Sequence, residues 1–300
     1  MVSGTGARPL TQRWVASHLP RRPETAHKGD FGRLLVVAGS TEYPGAALLV
    51  GLGAMRAGVG VVRVAVAESV AGPLAGAVPE LTWMVLDEEA PGLIAPSGWR
   101  RVTTESAGYD AVVLGPGLGS QPATQRRVRN LVAALRVPAV VDADGLNALA
   151  AGGTWWTGLR APLVLTPHPG EFGRLVRSDA PPDGDNGRAS AAAEAAAQWG
   201  QVLVLKGANT VVAAPDGQLL RSGVSSAALA TAGTGDVLAG VIGALLAGGL
   251  EPFAAAACGV AVHGAAGLLA ADRIGITGAM ARDVADLLPE AIRQLRGDAS

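Results

Sequence analysis

The sequence of 300 residues holds one cysteine, Cys258, so no internal disulfide can staple it. That cysteine lies in an apolar helical run and reads as a small core residue. The formal net charge is −1, which leaves no electrostatic footprint for nucleic acid. Arg8, Arg13, Arg21 and Arg22 form only a weak basic cluster, best read as a solvated face. The first stretch has no apolar core of the kind a secretory signal needs. A membrane span needs about twenty uninterrupted apolar residues. The longest weakly polar run, Val237–Ala271, is broken by Gly248-Gly249, Glu251-Pro252 and His263, and reads as buried helices packed through small residues. Zinc spacing, a Walker lysine and a Ser/His/Asp arrangement are missing as well. These absences point to a cytoplasmic protein with neither nucleic-acid nor membrane partners.

What is present is an alternation. Continuous apolar runs of strand length occur at Arg33–Ala38, Val61–Val66, Val112–Gly115, Ala139–Asp142, Leu163–Thr166 and Val202–Lys206. Helical stretches separate most of them, at Ala46–Ala57, Pro122–Arg136, Gly170–Arg177 and Arg188–Gln198. This predicts an α/β fold with a mostly parallel sheet covered by helices on both faces. Thr210–Ala214 and Gln218–Arg221 flank a Pro-Asp-Gly turn, which predicts an antiparallel edge hairpin. Pro252–Asp272 and Asp283–Arg296 read as the last helices. Residues 1–26 read as a polar lead-in with a short surface helix over Leu10–Leu19. Ser178–Gly187 reads as a surface loop, so 27–300 is expected to form a single domain.

The most informative stretch is Ser225–Ala247, in which Gly233-Thr234-Gly235-Asp236 opens an Ala- and Gly-rich helix. The two glycines let backbone approach a ligand, and the free N–H groups of a helix's first turn hold anions. Gly233, Thr234 and Gly235 are therefore an expected anion hole, with Asp236 beside it as the expected base for phosphoryl transfer onto a hydroxyl.

Five further polar loops follow predicted strands, at the carboxyl ends where open sheets bind ligands. They are Gly39-Ser40 with Pro44-Gly45-Ala46, the GPGLG run at 115–119, Asp142–Asn147, Thr166–Glu171 and Lys206–Thr210. The GPGLG run matches a dinucleotide fingerprint poorly. Asp142 and Glu171 are candidates to hold Mg²⁺ through water, with Asp144 a weaker one. His168, between two prolines, is placed to hydrogen-bond a substrate. Lys206, Gly207, Ala208, Asn209 and Thr210 are placed to grip a nucleotide.

Taken in order, HKGDFG (27–32), GSTEYPGAALL (39–49), GPGLG (115–119), VVDADGLNAL (140–149), LTPHPGE (165–171), LKGANT (205–210) and TAGTGD (231–236) resemble the ADP-dependent NAD(P)H-hydrate dehydratases of the ribokinase-like superfamily. The resemblance implies repair of NADH or NADPH whose nicotinamide ring has been hydrated. ADP would activate the added 6-hydroxyl with Mg²⁺ as cofactor, giving NAD(P)H, AMP and phosphate. It implies hydrate binding at Ala46, Gly117, His168 and Asp236, and nucleotide binding at Lys206–Thr210 and Gly235. It also implies a homotetramer, and the length suggests the stand-alone form without the epimerase domain to which the family is sometimes fused. A vitamin-precursor kinase of the same superfamily, acting on a hydroxymethylpyrimidine or thiazole alcohol, is the rival enzyme. Such kinases tend to carry Thr-Pro-Asn where this chain has Thr-Pro-His168. A non-catalytic nucleotide sensor is the alternative of another class, disfavoured by the presence of Asp236 and Glu171.

Overall fold

A computed structural model describes residues 6–23, 25–178 and 184–297. The chain enters through β1 (Arg8–Pro9) and α1 (Gln12–His18), then runs β2 (Arg33–Val37), α2 (Pro44–Ala57), β3 (Val61–Ala67), α3 (Glu68–Leu74) and β4 (Thr82–Leu86). A small hairpin, β5 (Glu88–Ala90) and β6 (Leu93–Ile94), leads into α4 (Pro96–Glu105). The alternation resumes with β7 (Ala111–Leu114), α5 (Pro122–Ala134), β8 (Ala139–Val141), α6 (Asp144–Ala150), β9 (Leu163–Leu165) and α7 (Pro169–Val176). Then come α8 (Gly184–Trp199), β10 (Val202–Leu205), the pair β11 (Val211–Ala213) and β12 (Leu219–Arg221), and α9 (Thr234–Ala247), α10 (Pro252–Arg273) and α11 (Ala281–Arg296).

One sheet of ten strands runs in the order β1-β12-β11-β10-β9-β8-β7-β2-β3-β4. From β10 to β4 every neighbour pairs in parallel. The residues explain this. Strands such as AVVL of β7 and VLVL of β10 are buried at every position, as a sheet covered on both faces requires. The predicted hairpin is present, with β11 antiparallel to both β10 and β12. It lies one strand in from the rim, because Arg8 and Pro9 of the lead-in pair in parallel with β12.

α9 fixes the geometry of the site. Almost every residue of this helix is buried, because it lies between α2 and the sheet. Glycine permits the approach: a Cβ on Gly240 would stand 2.1 Å from the Val50 carbonyl oxygen, and one on Gly53 would stand 2.6 Å from that of Val237. α10 runs unbroken through His263. It is long and apolar enough to cross a membrane, with mean hydropathy 1.7, yet 67% of that window is buried within the fold. Packing against α9 and α11 accounts for its composition.

The elements between β3 and β7 were not evident in the sequence, and neither was α6. α3 carries Pro73 within it, and β4 mixes exposed and buried positions without a clean run. α8 begins at Gly184, earlier than the Arg188 expected from composition. Of the expected loop at 178–187, residues 179–183 lie outside the described residues.

α6 starts abruptly because Ala143 adopts φ 50° and ψ −118°, a conformation that glycine tolerates and alanine does not. The kink aims Asp142 and Asp144 at the carboxyl rim. Ala143→Gly should relieve this strain and stabilise the protein by about 1–2 kcal/mol. A thermal melt at neutral pH checks it, with a rise in Tm as the expected result.

Candidate active site

The loops after the parallel strands are tied to one another. The Gly39 N–H donates to the Pro116 carbonyl at 2.8 Å, and the Gly119 N–H donates to Asp144 Oδ2 at 2.9 Å. Gly117 faces α2 so closely that a Cβ there would stand 2.9 Å from Ala46 Cβ. Ala46 and Gly117, the two small residues expected at the hydrate, are thus neighbours in space.

The polar centre is a buried ion pair. Lys206, the residue after β10, donates from Nζ to Asp142 Oδ1 at 2.8 Å, and its ammonium lies 3.9 Å from Glu171 Oε2. The Asp142 side chain is 2% exposed, and Thr166 Oγ1 donates to the same oxygen at 2.7 Å. Burial alone would lower the Lys206 pKa, but Asp142, Glu171 and Asp236 together hold it above its usual value. Burial raises the Glu171 pKa, against the pull of Lys206.

His168 has a job within its own helix. It caps α7, with Nδ1 accepting from the Gly170 N–H at 3.0 Å and, more weakly, from the Glu171 N–H at 3.4 Å. Glu171 reciprocates by accepting the His168 N–H at 2.8 Å. This capping box holds the imidazole rigidly, beyond what the flanking prolines do. Burial, then Lys206 and Arg174, lowers its pKa, with Asp142 opposing, which favours the neutral ring.

The predicted anion hole is the first turn of α9. Gly233 caps the helix at φ 88°, the left-handed region, where a side chain would also strike Leu49. The Thr234 hydroxyl donates back to the Leu229 and Thr231 carbonyls at 2.8 and 2.9 Å, closing the loop. A Cβ on Gly235 would stand 3.4 Å from Lys206 Nζ, so this backbone and the ammonium border one space.

Asp236 follows on the same turn. Its pKa is pushed up to about 7, by burial first and then by Asp142, with Lys206 opposing and Asp144 and Glu171 adding smaller increases. The N-terminal end of a helix favours a carboxylate, but here burial and the neighbouring carboxylates outweigh it.

A pocket of about 370 Å³ opens beside this centre. Of the expected nucleotide residues, Lys206, Gly207, Ala208, Thr210 and Gly235 line it, as do His168 and Thr234. Asn209 does not; its φ is 57° and its side chain donates to Asp185 Oδ2 at 3.2 Å. Ala46, Gly117, Asp142, Glu171 and Asp236 are not among its lining residues.

The far wall is apolar, with Val224, Leu229, Leu238 and Val260, and it was not evident in the sequence. His263 was missed as well. Buried in α10, its Nε2 lies 2.9 Å from the Thr234 carbonyl oxygen, and burial drives its pKa to about 4, so it is neutral. The available signal was one polar ring within an Ala-rich apolar helix, which must find a partner when buried.

Mg²⁺ keeps several waters and takes one or two carboxylates plus phosphate oxygens. Asp142 and Glu171 supply hard oxygens around Lys206, and no group of three metal-binding side chains occurs among the described residues. The two carboxylates offer oxygens to a cation held through water and phosphate, but Lys206 already occupies Asp142 Oδ1, and they do not form a protein cage.

The doubly covered parallel sheet, with its polar loops and pocket at the carboxyl ends, defines a ribokinase-like α/β protein. A ribokinase-like superfamily protein of Enterococcus faecalis V583 shares that fold, with TM-score 0.80 and 22% identity over 98% of each chain. Within that class, the chain belongs to the NAD(P)H-hydrate dehydratase family, whose sequence profile matches residues 34–290.

The bifunctional NAD(P)H-hydrate repair enzyme Nnr of Moorella thermoacetica is 44% identical over 286 residues, covering 95% of this chain and 54% of that one. The chain thus spans about half the length of such bifunctional relatives. The ADP-dependent (S)-NAD(P)H-hydrate dehydratase of Bacillus subtilis is 35% identical over 281 residues, covering 93% of this chain and 95% of that one. A crystal structure of the Bacillus subtilis ADP/ATP-dependent NAD(P)H-hydrate dehydratase, co-crystallised with ATP/Mg²⁺, superposes with TM-score 0.84 at 34% identity, covering 97% of this chain and 100% of that one.

Proposed function

We propose that this protein is an ADP-dependent dehydratase of the S-epimer of hydrated NADH and NADPH. The observation that carries the reading is Asp236. A carboxylate titrating near 7 sits directly after the backbone anion hole, within the field of Lys206. A base with its pKa near the working pH, beside an anion hole, suits phosphoryl transfer to a hydroxyl.

In this reading the hydrate lies with its ring against Ala46 and Gly117, and His168 orients it. Asp236 takes the proton of the added 6-hydroxyl as that oxygen attacks the β-phosphorus of ADP. AMP leaves. The phosphorylated oxygen then departs as phosphate, expelled by the lone pair of the ring nitrogen, and the adjacent ring carbon gives its proton to water as the double bond returns. Gly233 and Gly235 would meet the transferring charge with backbone N–H groups, while the Thr234 N–H already donates to the Thr231 carbonyl at 3.3 Å, and Lys206 adds a fixed cation. Lys206–Thr210 hold the nucleotide, and the apolar wall of Val224 and Leu229 suits a base. Mg²⁺, placed through water by Asp142 and Glu171, would neutralise phosphate charge.

The acting unit is a single domain, and the lead-in expected at 1–26 is built into it: Arg8 and Pro9 extend the sheet, and Val15 and Leu19 are buried in the core. The resemblance supports a homotetramer, and the composition fits a cytoplasmic location.

Adding the S-hydrate of NADH, ADP and Mg²⁺ to the protein should restore the absorbance of reduced nicotinamide. A parallel assay with ATP and a pyrimidine or thiazole alcohol should give no phosphorylated alcohol. The reverse pattern would assign the chain to the vitamin-precursor kinases.

A further inference from the structure

The candidate nucleotide loop is held from behind by one side chain that does not line the pocket. Arg188, near the start of α8, donates from Nη1 to the Ala208 carbonyl at 2.8 Å. Its Nη2 donates to the carbonyls of Leu205 and Lys206, at 3.2 and 3.0 Å. Gly207 lies flat on the guanidinium, with φ 146°, and a Cβ there would stand 2.7 Å from Nη2. One helical turn earlier, Asp185 accepts from Asn209 Nδ2 at 3.2 Å and from Arg221 Nη1 at 3.0 Å, pinning the other end of the loop.

We propose that Arg188 is the positioning residue that shapes the loop 206–210 and thereby sets the affinity for the nucleoside diphosphate. The proposal rests on the reading of that loop as the ADP-binding loop. In a trans peptide, C=O and N–H point in opposite directions. Drawing the carbonyls of Lys206 and Ala208 onto the guanidinium therefore turns the N–H groups of Gly207 and Asn209 away from it, on the side where phosphate oxygens need donors. The Lys206 N–H is used separately, donating to the Pro167 carbonyl at 2.8 Å. Without the cation, three carbonyl oxygens would crowd one side of the loop and rotate toward water, taking the donors with them. The planar fork of arginine spans three acceptors; lysine, a single ammonium on a flexible stem, cannot hold all three in this geometry.

The test uses the full chain with Arg188→Met and Arg188→Lys. Arg188→Met should raise both the Kd and the KM for ADP about 10–100-fold, with kcat at saturating ADP within about threefold of wild type. Arg188→Lys should fall between, about 3–10-fold weaker than wild type. A merely structural role would lower Tm and leave the KM for ADP unmoved, and that result overturns the proposal. If Arg188→Met does not fold, Arg188→Lys decides alone: wild-type Kd overturns the proposal, and weakened Kd with unmoved kcat supports it. Hydrogen exchange on the wild type separates the two levels. ADP should protect the amides of 206–210. If it does not, the reading of the loop itself fails. If it does, and both variants bind ADP as the wild type does, only the role of Arg188 falls.

Discussion

Asp236→Asn is expected to lower turnover by about 10²–10⁴-fold at saturating ADP and hydrate while leaving ADP bound. The amide keeps the size of the carboxylate but cannot accept the hydroxyl proton. Removing a negative charge beside phosphate should leave ADP affinity unchanged or tighter. The pH profile gives a second signature. A base must be ionised to act, so kcat/KM for the hydrate should rise with pH through about 7, where Asp236 titrates, and level off above it. Asp236→Asn should lose that limb.

Stability should move the opposite way. A carboxyl whose folded pKa exceeds its unfolded value holds its proton longer in the native state, so stability falls as pH rises from about 4 to about 7. Asp236→Asn should therefore stabilise the unliganded protein at pH 8, by on the order of 2–4 kcal/mol, and scarcely at pH 4. Loss of activity joined to a gain in stability at pH 8 separates a poised base from a structural residue. Asp144→Asn is the control, and its effect on turnover should be smaller.

Lys206→Met is expected to cost about 3–5 kcal/mol of stability and to weaken ADP binding strongly. The reason is Asp142, whose side chain is 2% exposed and whose Oδ1 is shared by the Lys206 ammonium and the Thr166 hydroxyl. Removing the cation leaves a buried carboxylate with a neutral donor alone, which is far worse than removing both charges. The double variant Asp142→Asn/Lys206→Met should therefore recover most of the stability lost in Lys206→Met, but not the ADP binding. Denaturant melts of the four proteins form the cycle that measures this. Equal stability losses in the single and double variants would show that the pair is not the source of the effect.

The comparison of sequence with structure divides along the range of the interactions. Buried strands such as AVVL and VLVL announce themselves locally, and so does the glycine pair before Asp236, because each needs only its neighbours in the chain to be recognised. The loop at 206–210 was legible as a backbone cradle. The ion pair of its lysine with Asp142 was not, since it joins residues 64 apart in sequence. The raised pKa of Asp236 was equally hidden. It depends on burial and on Asp142, Asp144 and Glu171 converging from two other loops. His168 could be seen as rigid, but the cause is a capping box with Glu171, of which the proline pair gave no sign. Arg188 read as an ordinary helix-start residue, because its three acceptors are main-chain carbonyls that leave no trace in side-chain pattern.

If ADP is consumed to drive dehydration, the stoichiometry of one reaction mixture shows it. The S-hydrate of NADH, ADP and Mg²⁺ are incubated with the protein, quenched at intervals, and assayed for NADH, AMP and phosphate. The three products should appear in equal amounts, none should form without the hydrate, and Asp236→Asn should slow all three together by about 10²–10⁴-fold. NADH appearing without AMP, or AMP and phosphate accumulating without NADH, would contradict it.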